Sequence, residues 1–330
     1  MDDDVITGHS KDDVLKIAIA RFATSAAASS ESRTVQLDDL KFAAGNSDNN
    51  WQWPSYAMTT RTAGTTGLAA RPTLTINRLP QHIHQVTNDE RQNRPMGRVI
   101  PADDKSDIEV AEVLNGMVRH IQQASDADVA YDTACENQVI HGEGFWRIRT
   151  DYCDEMSFDQ DLLLEAIPNS FSVYMDPMIK RPCGEDQEYC FITEDLTQKE
   201  YKAQFKNAKA FTTMQEMGVG DESISGWINK DTVRIAEYFC YEDKVETLCL
   251  YPDGATAIKG TPECEQREMM GMMPVKTRQT TRRQVKWYKI NGFEILDERD
   301  WPGKYIPVVR VVGNAFVVEG KVYISGTRSA

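Results

Sequence analysis

Residues Arg71–Pro101, RPTLTINRLPQHIHQVTNDERQNRPMGRVIP, read as an extended lead-in, a helix and an extended exit. Arg71 precedes a proline, whose ring crowds α backbone one residue upstream, so the stretch starts extended. Asn77 suits a helix N-cap. Pro80 then falls in the first helical turn, where a missing N–H removes no bond. Ile76, Leu79, Ile83 and Val86 recur at helical spacing and define one apolar stripe. Asn88, Arg91, Gln92, Asn93 and Arg94 lie on another face, which is polar. Gln92–Pro95 ends the helix, and Gly97–Ile100 is expected to be a strand. One face is anchored in a core and the other is a contact surface without a catalytic group.

Working outward toward the N-terminus, Asp12–Ala23 is expected to be a short amphipathic helix, with Ser25–Arg33 a mobile connection of small polar residues. Turn-rich sequence with Trp51 and Trp53 follows, so residues 1–70 read as an arm with limited structure, docked by its aromatics. Toward the C-terminus, Val110, Leu114, Met117, Val118 and Ile121 mark a strong helix over Asp107–Gln123. Ser125-Asp126 offers the next N-cap, and a second helix runs to about Ile140, packed on the first and stopped by Gly142.

The pattern then changes to strands: Phe145–Arg149, Leu162–Ile167, Phe171–Met175 and Tyr189–Glu194. Thr197-Gln198-Lys199-Glu200 is a capping box that opens a one-helix insert. Residues 206–229 read as a loop. Val233–Tyr241 and Val245–Tyr251 are expected to be paired strands, and residues 262–281 irregular. Asn291-Gly292 between two strand-like runs predicts a type I′ hairpin over 284–296. Ile306–Val312 reads as an apolar strand, and 316–324 as another hairpin around Gly320. Helices first and strands after give an α+β fold, its helical N-terminal half packed on a mostly antiparallel β region with hairpins. The expected divisions are an arm at 1–70, an α/β body at 71–240 and a hairpin-rich region at 241–330.

Composition narrows the function. A net charge of −14 disfavours tight, general nucleic-acid binding, which relies on neutralising phosphates. It does not exclude a wall past which DNA slides. No apolar run reaches the roughly 18 residues of a membrane span. The acidic start Met1-Asp2-Asp3-Asp4 is unlike a secretory leader. Seven cysteines without a C-x-x-C pair fit free thiols in a reducing compartment better than zinc ligands or disulfides.

Catalytic signatures are missing. There is no G-x-x-x-x-G-K-[ST] phosphate loop and no G-x-S-x-G elbow. His141-Gly142-Glu143-Gly144 follows a helix, not the strand that a dinucleotide loop needs. His82 and His84 point to different helix faces and cannot share a metal. Asp151, Asp154, Glu155, Asp159 and Asp161 crowd one region, which reads as an acidic solvated loop; a metal-dependent hydrolase is the enzyme alternative. Lys276, Arg278, Arg282, Arg283, Lys286 and Lys289 form a basic run with no acid inside it. It reads as a solvated or partner-facing hairpin face, with nucleic-acid contact as the alternative.

Several segments together resemble portal proteins, the head-to-tail connectors of short-tailed, podovirus-type bacteriophages. They are Arg71–Asn77, Asn88–Pro95, Ser125–Ala134, Gly142–Ile148, Asp151-Tyr152 with Ser157-Phe158-Asp159, Trp301–Val309 and Ser325–Arg328, in order across residues 12–330. The resemblance implies a structural protein rather than an enzyme, with no cofactor or metal and a portal-like wing and stem architecture. The 71–240 body would be wing-like, and 241–330 would lead toward stem and clip. It implies a virion ring, typically a dodecamer, assembled in the host cytoplasm and set at one capsid vertex without membrane contact. Double-stranded DNA would pass through it during packaging and ejection. Its partners would be major capsid and scaffolding proteins, the terminase large subunit and tail or adaptor proteins. Family members continue further, so the chain is expected to represent their N-terminal portion. In this setting Asn88, Arg91, Gln92, Asn93 and Arg94 are subunit-interface candidates, and the six basic residues are DNA- or partner-contact candidates. The structural alternative is a tail adaptor or capsid component.

Overall fold

The computed structural model describes residues 11–45, 76–94, 96–101, 108–205, 227, 232–318 and 321–327. The expectations for the lead-in at 71–75, the tryptophans at 51 and 53, and the loop at 206–226 fall outside these residues. The helices are α1 (Lys11–Ala44), α2 (Leu79–Gln92), α3 (Ile108–Ala124), α4 (Ala127–His141), α5 (Gln198–Gln204) and α6 (Pro262–Met269). The strands are β1 (Glu143–Tyr152), β2 (Gln160–Ala166), β3 (Val173–Met175), β4 (Tyr189–Thr197), β5 (Thr232–Leu250), β6 (Thr256–Ile258), β7 (Lys276–Ile290), β8 (Ile295–Asp300), β9 (Val308–Val312), β10 (Asn314–Val318) and β11 (Lys321–Ser325). All strand pairs are antiparallel, so the α+β expectation holds.

The chain divides into two units. One holds Met1–Ala28, Ser172–Lys180 and Glu185–Ile306; the other holds Ser29–Phe171, Arg181–Gly184 and Pro307–Ala330. The boundary falls inside α1, which is one unbroken helix of 34 residues. The expected break at Ser25–Arg33 does not occur. No glycine or proline interrupts Lys11–Ala44, and its alanines are the strongest helix formers, so a small polar composition alone makes no connection.

The first unit is built on the sheet β3-β4-β5-β7-β8, with β6 added to β5. Val14, Ala18 and Phe22 of α1 lie on it, buried with Phe191, Trp227, Tyr238, Tyr288 and Ile290. Register explains the aromatic row: Phe191 pairs across to Tyr238, and Tyr238 to Tyr288. Their rings stack at 4.6 Å and 6.2 Å. Arg21 donates to the Tyr238 hydroxyl at 2.8 Å and lies over the Tyr189 ring. Complete burial of each large side chain contributes about 1.5–3 kcal/mol. Leu196, Tyr201, Val233 and Ile235 form a separate buried cluster, with α5 supplying Tyr201. The capping box at Thr197 and Glu200 is present as the sequence predicts.

Three strand expectations need correction here. Val233–Tyr241 and Val245–Tyr251 are not a hairpin but parts of β5, 19 continuous residues that pair with β7. Glu242-Asp243-Lys244 is polar, yet it carries no residue that forces a turn. Residues 262–281 are not irregular: Pro262 starts α6 and Lys276 starts β7. The hairpin at 284–296 exists, but its turn is not type I′. Pairing closes at Ile290 with Ile295, leaving four residues between. Type I′ needs positive φ at both central residues, and only Gly292 has it. Instead the buried Asn291 side chain accepts from the Phe293 and Glu294 N–H groups and donates to Tyr201 Oη at 2.7 Å.

The second unit has the sheet β2-β1-β9 and the hairpin β10-β11, which the sequence predicts. Ala127, Ala130 and Ala134 of α4 are buried. Their small size lets the helix approach the sheet so closely that a Cβ on Gly144 would stand 1.9 Å from the Ala134 carbonyl oxygen. Gly142 ends α4 with φ +96, a conformation costly for any residue with a Cβ. Asp126 occupies the N-cap position, but with left-handed backbone and no side-chain cap bond. Helix α2 begins at Leu79, two residues after the expected cap; Asn77 Oδ1 still accepts the Leu79 N–H at 3.1 Å.

Gly97–Ile100 is not a strand. The N–H and carbonyl of Val99 are both taken, at 2.8 Å each, by the side-chain amide of Asn115 on α3. A helix amide thus supplies the pair of bonds that a neighbouring strand would otherwise give.

Candidate assembly surfaces

The polar face of α2 is divided. Arg91 Nε donates to Asp132 at 2.9 Å. Arg94 pairs with Asp128 and Asp132 of α4 and, at 3.5 Å, with Glu90. It also lies over the Tyr131 ring. These two arginines therefore clamp α2 to α4. Asn88, Gln92 and Asn93 remain exposed, and Asn93 donates to Asp89 at 3.1 Å.

The basic run lies along β7 and also divides. Arg283 pairs with Glu188 and stacks over Tyr241, 4.1 Å from the ring centre. Lys286 pairs with Glu242 at 2.7 Å, and Lys289 lies over Phe205. Lys276, Arg278 and Arg282 are exposed and form no ion pair among the described residues. Strand alternation places these three on one face. Arg282 stands opposite Lys244 of β5, a like-charge cross-strand pair.

This outer end of β5 and β7 carries α6. Beneath that helix Cys249, Tyr251, Ala257 and Cys264 form a small buried cluster. Tyr251 Oη and Cys264 Sγ are hydrogen-bonded at 3.1 Å, and that bond, with burial, pushes the tyrosine hydroxyl above its ordinary range. Beside it Met269 (87% exposed), Met270, Met273 (77%) and Val275 face solvent.

The acidic region is the tip of the β1–β2 hairpin. The Cys153 N–H donates to the Asp159 carbonyl at 3.0 Å, and the Ser157 N–H to the Asp154 carbonyl at 3.1 Å. This ordered turn presents Met156 and Phe158, 92% and 96% exposed. Asp151 stands directly opposite Asp161 in the register. Arg149 pairs with Asp151 at 3.1 Å, whereas Asp154, Glu155 and Asp159 pair with no cation among the described residues. No group of three or more metal-ligating side chains occurs among the described residues.

Helix α3 contacts α4, as the sequence predicts, while the stripe residues Val110, Leu114, Met117 and Val118 are exposed, with Ile108 and Val113 beside them. Only Ala111 of this helix is buried. Periodicity identifies an apolar face but not what covers it. The uncovered methionines carry no motif, and Phe158 enters the sequence reading only within the Ser157-Phe158-Asp159 segment; their exposure in the fold is what singles them out as surface.

Comparison with known proteins decides the family. A family model described as phage P22-like portal protein matches residues 19–328. This chain belongs to the phage P22-like portal protein family. Among curated proteins, the portal protein of Acyrthosiphon pisum secondary endosymbiont phage 1 is 25% identical over 267 residues. That match takes in 77% of this chain and 37% of the relative, so the chain spans little more than a third of that portal protein's length. Among its described residues, no helix of this portal-family chain is long and apolar enough to cross a membrane.

Proposed function

We propose that this chain is a subunit of a ring at one vertex of a phage capsid. The ring conducts double-stranded DNA during packaging and ejection and serves as a docking platform for terminase and for tail or adaptor proteins. The observation that carries the reading is the portal-family match across residues 19–328. Capsid and scaffolding proteins are its other partners, and its role is structural rather than catalytic. The uncovered apolar face of α3 supports assembly, because contiguous exposed apolar surface of this kind marks interfaces. The net charge of −14 suits a conduit that must not hold its cargo. Asn88, Gln92 and Asn93 remain candidates for subunit contact, while Arg91 and Arg94 hold the subunit's own helices together.

Electron microscopy of the protein as it stands in phage particles tests this. Closed rings with a central channel wide enough for a DNA duplex are expected at one capsid vertex. A vertex without such a ring, or a shell or tube without such a channel, would overturn it.

A further inference from the structure

The two exposed features described above are complementary in both charge and apolar character. The β1–β2 tip presents Met156 and Phe158 almost wholly to solvent, set among Asp151, Asp154, Glu155, Asp159 and Asp161. The outer end of the β5–β7 ribbon presents Met269, Met270, Met273 and Val275, followed along the strand by Lys276, Arg278 and Arg282. In the register Asp151 stands opposite Asp161 and Lys244 opposite Arg282. Asp151 and Lys244 are met within the subunit by Arg149 and Asp300. That leaves Asp154, Glu155 and Asp159 on one side, and Lys276, Arg278 and Arg282 on the other, for a partner of opposite sign.

We propose that the β1–β2 tip of one subunit docks on the outer β5–β7 ribbon of a second copy of this chain. Phe158 and Met156 pack among the neighbour's methionines, whose flexible thioethers adapt to an inserted ring. The carboxylates around the tip face Lys276, Arg278 and Arg282 of that neighbour. The contact joins two different patches, so it is heterologous, and repetition by rotation closes a ring. The occupant is protein rather than DNA because the cations continue along the chain from the exposed Met269–Val275 segment, whose apolar surface a phosphate backbone would leave unused. The inference rests on the ring reading above and adds the surfaces that meet.

The test replaces Phe158 by a photoreactive residue, Phe158→p-benzoylphenylalanine, in assembled particles. Position 158 is almost fully exposed, so the fold tolerates the change. Particles are built from a mixture of light and heavy-isotope protein. Irradiation is expected to give a ladder of joined subunits, with mixed-isotope cross-links to the Met269–Val275 segment. Arg278→Glu with Arg282→Glu should abolish the ladder, and Asp154→Lys with Glu155→Lys in the same chain should restore it. Intact rings with cross-links elsewhere, or only within one chain, would overturn the inference and leave the ring reading standing. A reversal that keeps the ladder but loses packaged DNA would assign the cations to DNA and also overturn it. Absence of rings from the unaltered protein would overturn both.

Discussion

Strands β5 and β7 are paired over fifteen positions, from Ala236 with Ile290 to Leu250 with Lys276, yet their two ends live in different environments. At the inner end Tyr238, Cys240, Val285, Tyr288 and Ile290 are buried, and Tyr238 stacks between rings. At the outer end β7 turns exposed and basic, and the methionines beside it face solvent. The hydrogen-bond ladder continues from one to the other; the side chains do not. One strand pair can thus act as core where α1 covers it and as a presenting arm farther out, where α6 covers Cys249 and Tyr251 and leaves Lys276, Arg278 and Arg282 exposed. In the proposed ring, the inner end holds a subunit together and the outer end holds subunits to each other.

The largest stability loss is expected at the inner end. Tyr238→Ala removes a wholly buried ring and the hydroxyl that Arg21 uses, and should cost about 3–5 kcal/mol in denaturant unfolding. An unchanged midpoint would break the division into core and arm.

The alkaline response should come from the same end. Burial pushes the Cys240 thiol up to about 12 from an ordinary value near 9, so the folded chain resists its ionisation. The unfolded chain then binds fewer protons above pH 9, and the contribution, intact below that, is lost as pH climbs toward 12. Unfolding midpoints followed upward from pH 9 should fall less steeply in Cys240→Ala than in the unaltered protein.

Tyr201→Phe tests the buried turn that closes β7. It strands the Asn291 amide without its acceptor and should cost about 1–3 kcal/mol. Thr197→Ala dissolves the capping box of α5 and should cost about 1 kcal/mol, measured the same way.

The sequence made much of this fold legible where local chemistry is strong. The Thr197–Glu200 box, the Gly142 helix stop, helices α3 and α4 and the hairpin after Asn314 all follow from short-range rules. It is less informative where a small or polar composition resembles a turn. The Ala/Ser run inside α1 and Glu242-Asp243-Lys244 inside β5 both continue their elements, because neither contains a residue that must break one. Asn291-Gly292 announced a turn correctly, but tertiary burial of Asn291 against Tyr201 chose a different one. The candidate surfaces were half visible. The basic run could be read from composition, yet only the fold shows that Arg283, Lys286 and Lys289 are engaged while Lys276, Arg278 and Arg282 are not. Exposure of Phe158 and the methionines depends on what covers them, which no residue pattern encodes.

The smallest effect on stability should accompany the largest effect on assembly. Arg278→Glu with Arg282→Glu lies on exposed strand surface and should shift unfolding by less than about 0.5 kcal/mol. Native mass spectrometry of that variant tests the account most directly, since charge state reports folding and mass reports assembly. Folded monomers are predicted under conditions where the unaltered protein forms a closed oligomer. A variant that assembles as the unaltered protein does would contradict the assignment of the outer ribbon to subunit contact.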